Sequence, residues 1–461
     1  MKHATPQKPE QIPGALDSLE VREADFEAPT PEVSRRAGTF ESFRYRDYTW
    51  FWAGGLVSNT GSWMQNYALA IVVYSFRRSE FDLGIVNFVS GIPVLLFALF
   101  AGAIADRVNK RRLLIVSQFV LLLQASALGY LYVTDRLSAA HAIPSLTWVA
   151  GLGLLGGVMS ALTFPAWLAM LPDLVPRASL LNGIALNSAQ FQTSRLLGPL
   201  AASALVIAGM GMGEVFFVNA ASFLFVIAAL AAIRPRPAEE TPGHVAPARR
   251  AAGERVTRAA VIENLMAGVG YARSHRTVGL LILSTAVMTI FGMPYMMLLP
   301  AIADKSLNVG KLGVSYLMAA NGLGAVVGAL AVAGLPHGAN RNRIIPFSLL
   351  AMGALLVAFG LSRDFKLSIA ISTLAGAAVL TTNSLVNTSI QSAVPNHLRG
   401  RVMALFIMSF MGLMPVSSIL FGTLGEYIGP SSAVLVGSVA IIGWALLLVA
   451  RPAWLAEGKD A

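Results

Sequence analysis

Two stretches of this sequence hold charge where apolar residues would be the rule. The first is Gly102-Ala-Ile-Ala-Asp106-Arg107-Val-Asn-Lys110-Arg111-Arg112, one acid followed by four bases, fenced on each side by an apolar run. A carboxylate at a helix end accepts hydrogen bonds from the N-terminus of a neighbouring helix, aided by that helix's dipole. Asp106 therefore reads as half of a latch. The competing reading is that Arg107, Lys110, Arg111 and Arg112 only fix the side on which the loop lies. The second stretch surrounds Arg195, a full charge in the middle of an apolar run, with Asn187, Gln190, Gln192 and Ser194 close by. Asn187 and Ser194 are seven apart and share a helix face, and Gln190 and Arg195 lie near its edges. A guanidinium so placed either binds an anion in a cavity or tethers backbone carbonyls freed by Pro199.

Other chemistries lack their residues. With no cysteine there is no disulfide framework and no thiolate site. The six histidines (His3, His141, His244, His275, His337, His397) fall in tails or loops, which disfavours a buried metal site or a membrane enzyme. No Gly-x-x-x-x-Gly-Lys-Ser/Thr loop is present, which argues against a primary pump. Neither cofactor nor metal is expected.

The elements that must position these residues follow from hydropathy. The 461 residues are 55% hydrophobic and 13% charged, with mean hydropathy +0.65. Globular proteins carry about 25% charged residues, so half that load implies a chain dissolved in lipid. Apolar runs near the ~20 residues of a bilayer span lie at 49–74, 82–105, 112–134, 146–170, 180–208 and 212–233, then at 277–302, 311–335, 343–361, 366–391, 399–424 and 431–451. The reading is all-α, with twelve transmembrane helices in two sets of six. Residues 1–41 form a polar tail expected to be disordered. The first six-helix bundle occupies 42–233 and the second 277–451. Between them lies a linker, 234–276, whose Val256–Tyr271 part has the makings of an amphipathic surface helix; 452–461 is a second tail.

Charge distribution orients the chain. With a cytoplasmic N-terminus, 26 of the 34 Lys and Arg fall on the cytoplasmic side and 7 outside, and Arg195 lies within a span. Both termini are thus expected on the cytoplasmic side of the membrane. The formal net charge of +10 reflects helix ends rather than nucleic-acid binding.

The halves repeat each other. Val175-Pro176 precedes span 5 and Val394-Pro395 precedes span 11; Pro199 and Pro415 lie well inside those spans; Leu83-Gly84 and Leu312-Gly313 open spans 2 and 8. Parallel six-helix repeats are the mark of a carrier whose halves rock about a central site.

With these features the chain resembles the major facilitator superfamily. Gly102-x-x-x-Asp106-Arg107-x-x-x-Arg111-Arg112 is similar to its signature loop between spans 2 and 3. Ala185…Ser194-x-x-x-Gly198-Pro199-x-x-Ala202-Ser203 is a loose version of its exporter and antiporter signature. Arg44-Tyr45-Arg46-Asp47, Ser58-Asn59-Thr60-Gly61-Ser62-Trp63-Met64-Gln65 and the Val394-Pro395-x-x-Leu398-Arg399-Gly400-Arg401 loop resemble the transmembrane secretion effector branch, which includes siderophore and macrolide exporters.

The resemblance implies a fold of two bundles related by a pseudo-two-fold axis, export by alternating access, and proton antiport. It also implies that Asp106 meets span 11 with Arg401 as ion-pair partner and Asp173 joining the cluster, so that Gly102, Asp106, Arg107, Arg111, Arg112, Asp173 and Arg401 gate the cytoplasmic end. The second half has no acid in its matching loop, Leu335 to Arg343, so the latch is expected to be one-sided. Ser194, Gly198, Pro199 and Ala202 would form a kinked, tightly packed seam; ordinary small-residue packing is the alternative. Polar residues suited to a wet central path are Asn59, Gln65, Asn66, Asn187, Gln190, Arg195, Tyr295, Asn321, Asn383 and Asn387. Trp63, Trp167, Phe291, Tyr295 and Met296 could add an adaptable apolar wall. The expected cargo is a small amphiphilic organic molecule of siderophore or drug type, moved by a monomer; an importer of an anionic metabolite and a non-transporting sensor are the alternatives.

Overall fold

A computed structural model describes residues 39–105, 109–233, 258–336 and 340–455. Asp106 and Arg107 lie outside the described residues, as do most of both tails and most of the linker. Thirteen helices succeed one another among the described residues. They are α1 (Arg46–Arg77), α2 (Glu80–Ala105), α3 (Lys110–Val133), α4 (Ala142–Leu174), α5 (Arg177–Ile207), α6 (Met212–Ala232), α7 (Arg258–Ser274), α8 (Arg276–Lys305), α9 (Gly310–Ala333), α10 (Arg341–Leu361), α11 (Phe365–Ala393), α12 (from Asn396 to Ile428) and α13 (Pro430–Ala450). Nine of them, α3, α4, α6 and α8 to α13, are long and apolar enough to cross a membrane. Helices α1, α2 and α5 are of similar length. Helix α7 falls in the linker, and over 258–271 it coincides with the helix its sequence pattern indicates.

Two helices are wound differently in the middle. In α8 the turn Met288–Gly292 is a π-helix, and in α12 Met408–Gly412 is another. Each is closely followed by a proline, Pro294 or Pro415, which has no N–H to give to the preceding turn. The carbonyl that Pro294 leaves unserved four residues back, that of Ile290, accepts instead from Ser417 Oγ on α12 at 2.7 Å. The two irregular turns also touch each other. Helix α5, despite Pro199, runs as α-helix throughout.

Helix pairing repeats along the chain. Helix α2 packs on α4 and α3 on α6; in the second half α9 packs on α11 and α10 on α13. Lipid offers helices no hydrophobic gain on meeting, so close backbone approach at small residues has to supply the contact. A Cβ added to Gly157 of α4 would lie 2.0 Å from the Ser90 carbonyl of α2, and one on Gly324 of α9 would lie 1.7 Å from the Thr373 carbonyl of α11. Helix starts match too. Asn109 caps α3 by accepting from Arg112 N at 3.1 Å, and Asn340 caps α10 by accepting from Arg343 N at 3.2 Å.

Packing this tight gives a direct stability test. Gly324→Ala forces α9 off α11 and should destabilise the protein by ~1–3 kcal/mol or more. Gly443→Ala, where a Cβ meets nothing within 4 Å, should not. Thermal unfolding of the two variants in detergent checks this; equal melting temperatures would refute the seam.

Candidate functional site

Arg195 lies where helices of the two halves meet. Its Nη2 donates to Asn321 Oδ1 on α9, and the Asn321 amide nitrogen contacts the Tyr295 hydroxyl on α8. The same nitrogen is 3.5 Å from the Ser372 carbonyl on α11. Asn321 and Tyr295 are both buried. The guanidinium stands 5.6 Å from the centroid of the Trp63 ring on α1, within cation–π range. Backbone contact fixes the arrangement, since a Cβ on Gly322 of α9 would come within 2.9 Å of Leu196 on α5. A Cβ on Gly198 would come within 2.3 Å of Trp63. Arg195 enters none of the four ion pairs found among the described residues. Its Nε–H is buried without a partner, as is Gln192 Oε1 one turn earlier.

The rest of the polar set divides. Ser194 donates to the Leu56 carbonyl at 3.2 Å and Gly198 meets Trp63, so both lie in the contact between α5 and α1, while Pro199 and Ala202 are buried. Gln65 faces another way. It accepts from Asn219 of α6 at 2.8 Å and donates to Gln124 of α3 at 3.2 Å. Asn187 accepts from Trp167 Nε1 at 3.0 Å. Gln190 is buried at Gly55 of α1, its Nε2 without a partner. Asn59 is half-buried and Asn66 exposed on α1; Asn383 and Asn387 are half-buried on α11, Asn387 accepting from Gln391 at 2.9 Å. Of the ten polar residues singled out by sequence, Arg195, Tyr295 and Asn321 are brought together.

At the α2–α3 end, Gly102 lies in α2, and Arg401 is exposed on α12, its backbone covered by Gly268 of α7. Arg111 donates to the Leu230 and Ala231 carbonyls at 2.6 Å each, capping the C-terminus of α6. Asp173 is paired with Lys110 at 2.9 Å. Lys110, read from sequence as an anchor, thus ties α3 to α4. Arg112 supplies its backbone N–H to the Asn109 cap.

Sequence reasoning missed a second charged site at the opposite, α1–α2 end. Helix α1 ends at Arg78 in a left-handed conformation (φ 53°) and α2 starts two residues on. Glu80, its side chain fully buried, receives Lys305 of α8 at 2.8 and 3.0 Å. Arg78 and the Tyr74 hydroxyl reach Asp304 at 3.5 and 3.3 Å. Glu426 of α12 accepts from Ser79 Oγ at 2.8 Å and from Phe81 N at 3.3 Å, so a carboxylate of the second half caps a helix of the first. Asp82 is held by a forked pair with Arg77. Every charged member except Asp82 and Arg77 is bound across the halves. The only sequence signal was a clustering of acids and bases in 77–82 and 304–305.

Below this clasp α2 and α12 run antiparallel in close contact, Gly84 against Gly422, Gly91 against Pro415, Leu95 against Gly412. A family model described as "Transmembrane secretion effector" matches residues 37–460. The chain belongs to that family, a branch of the major facilitator superfamily. It is 26% identical over 383 residues to the enterobactin exporter EntS of Shigella boydii, covering 83% of this chain and 85% of the relative. The same figures hold for EntS of Escherichia coli. Among solved structures it is similar to a mutant of the nucleoside transporter NupG (TM-score 0.70, 10% identity, covering 88% of this chain and 99% of that one). It is also similar to a D-xylose–proton symporter (TM-score 0.64, 13% identity, covering 86% and 96%). The protein is a multi-pass membrane transporter of a small molecule, not an enzyme.

The clasp makes a quantitative prediction. Lys305→Ala strands a buried carboxylate and should cost ~1–3 kcal/mol. In a Glu80→Gln background the same substitution should cost much less, and a thermal-unfolding double-mutant cycle reads the difference. Strict additivity would mean that the pair contributes nothing.

Proposed function

We propose that this transporter exports a small amphiphilic organic molecule, of siderophore or drug type, across the bacterial cytoplasmic membrane by alternating access. Two six-helix bundles, 42–233 and 277–451, rock about a pseudo-two-fold axis, with 234–276 as a cytoplasmic linker and 1–41 and 452–461 as cytoplasmic tails. The α1–α2 end then faces outward.

The observation that carries the reading is the distribution of bonds between the halves. From Arg195–Asn321 through Tyr67 Oη to the Lys311 carbonyl (2.9 Å) and on to Lys305–Glu80, those named above lie between the helix middles and the α1–α2 end. That distribution among the described residues supports a carrier shut toward the outside and ready to load from the cytoplasm. The name of the enterobactin-exporting relatives supports the direction and the cargo class.

In the outward-facing state Asp106, with Gly102, Arg107, Arg111 and Arg112, would latch onto the start of α12 near Arg401, with Asp173 nearby. That closes the end opposite the clasp. Arg195, Tyr295 and Asn321 form the centre of the substrate site, and Asn59, Asn66, Gln190, Asn383 and Asn387 are candidates for its walls. Proton antiport is the coupling the superfamily resemblance implies, and one chain is the working unit.

Inverted membrane vesicles test direction and coupling together. A cargo found by screening a deletion strain should accumulate inside them when they are energised and leak away on adding an uncoupler. Asp106→Asn should lower the rate at unchanged protein level. Uptake by right-side-out cells instead would make the protein an importer.

A further inference from the structure

We propose that Arg195 is handed from Asn321 to the anionic group of the transported molecule, so that the substrate itself breaks a contact between the halves. This rests on the reading of Arg195 as part of the substrate site.

The geometry of the guanidinium carries the step. Its side-on face presents Nε–H and Nη2–H as parallel donors matched to the two oxygens of a carboxylate or phosphate. Here Nη2 is held by the Asn321 amide oxygen, while Nε is buried with no partner. One prong of the fork is engaged by a neutral atom and the other has no hydrogen-bond partner. The other close neighbour, the Trp63 ring, is neutral too. A cation at this depth with neutral partners alone is under-compensated, and an opposite charge is the partner it lacks.

An anion arriving side-on takes both Nε and Nη2 and so competes with Asn321 for the latter. Displacement takes the donor from Asn321 Oδ1, while the amide nitrogen keeps its contact with Tyr295 Oη and lies 3.5 Å from the Ser372 carbonyl, both in the second half. Gln192 Oε1 adds a buried, unpartnered acceptor one turn before the fork, available to an O–H or N–H of the ligand. What is lost is the hydrogen bond from α5 to α9, at the mid-depth limit of the contacts that keep the outer end shut. Loading thus weakens the contacts that must open for release, and a neutral molecule of the same shape cannot do this.

The chain has no cysteine, so Ala208→Cys and Lys311→Cys place two spin labels, one past the end of α5 and one at the start of α9. The full-length protein in lipid nanodiscs is titrated with naphthalene-2-carboxylate and with naphthalene-2-carboxamide, its neutral isostere. Binding is read by calorimetry and separation by electron–electron resonance. The carboxylate should bind at least about tenfold tighter and lengthen the inter-label distance, and the carboxamide should leave that distance unchanged. Arg195→Lys keeps the charge but loses the fork, and should abolish the preference. Asn321→Ala removes a competitor and should bind the carboxylate at least as tightly as the unsubstituted chain.

Equal affinities, carboxylate binding with no change in distance, or an Asn321→Ala loss as large as that of Arg195→Lys would each overturn the proposal. The first comparison needs no variant, so a folding defect does not obscure it. Transport of a neutral cargo without carboxylate preference would sink this inference and leave the transporter reading standing. Carboxylate-driven opening without flux would do the reverse.

Discussion

In lipid, apolar side chains gain nothing by leaving one apolar medium for another, so these helices are held by how closely their backbones can approach. That constraint accounts for where glycine falls. Gly157 against Ser90 and Gly324 against Thr373 fuse matching helix pairs in the two halves, which makes each half stiff. The contacts across the halves obey the same rule at Gly84, Gly91, Gly322 and Gly422. Those contacts end in polar groups, the Lys305–Glu80 pair at one limit and Arg195–Asn321 at the other. Polar bonds can be exchanged for bonds to water or ligand, whereas a glycine seam can only be kept or lost. Stiff halves joined by an exchangeable boundary are what a rocking carrier requires.

The stiffness is not uniform. The π-turns at Met288–Gly292 and Met408–Gly412 both belong to the second half, and the Ser417–Ile290 hydrogen bond ties the first to α12 just past the second. Helix α12 meets α2 across the boundary through Gly412 and Pro415, at the end of its irregular turn. Bending at that turn would alter the contact between halves without disturbing the pairs α9–α11 and α10–α13. The proline of α5 has no such consequence, because the backbone around Pro199 is clamped to α1 at Gly198.

Much of the fold was legible in sequence because its signals are local. Apolar run length gives a span whatever it packs against, and the Val-Pro motifs and buried prolines recur at matching positions. Arg195 could be picked out because one charge in an apolar helix stands alone, and Asn321 and Tyr295 were picked out as polar residues in spans. That the three meet could not be read, since the contacts join residues 126 and 26 positions apart. Glu80 was missed for the same reason. A charged residue at a span's edge looks solvated, and only the approach of Lys305 from 225 positions away makes it a buried, paired group. Asn187, Gln65 and Arg195 looked alike as polar residues in helices. Which of them faces another helix and which faces the boundary is set by rotation about the helix axis, and that is decided by packing.

Arg195 and Glu80 pose the same electrostatic problem with opposite solutions. Glu80 is a buried charge with its counter-charge in place, so its pair with Lys305 holds without a ligand and can be opened only by force from elsewhere. Arg195 is a half-buried charge whose bonded partners are neutral, so on the proposal above its contact with Asn321 yields to a group that brings a negative charge. If cargo arrives at the centre, as proposed, a closed state secured at its rim by a complete ion pair and at its centre by an incomplete one is most easily undone there. The order of events then follows from charge. The centre exchanges partners first, the α5–α9 contact loosens, and the rim pair, half-exposed at Lys305, parts last into water that can solvate both ions.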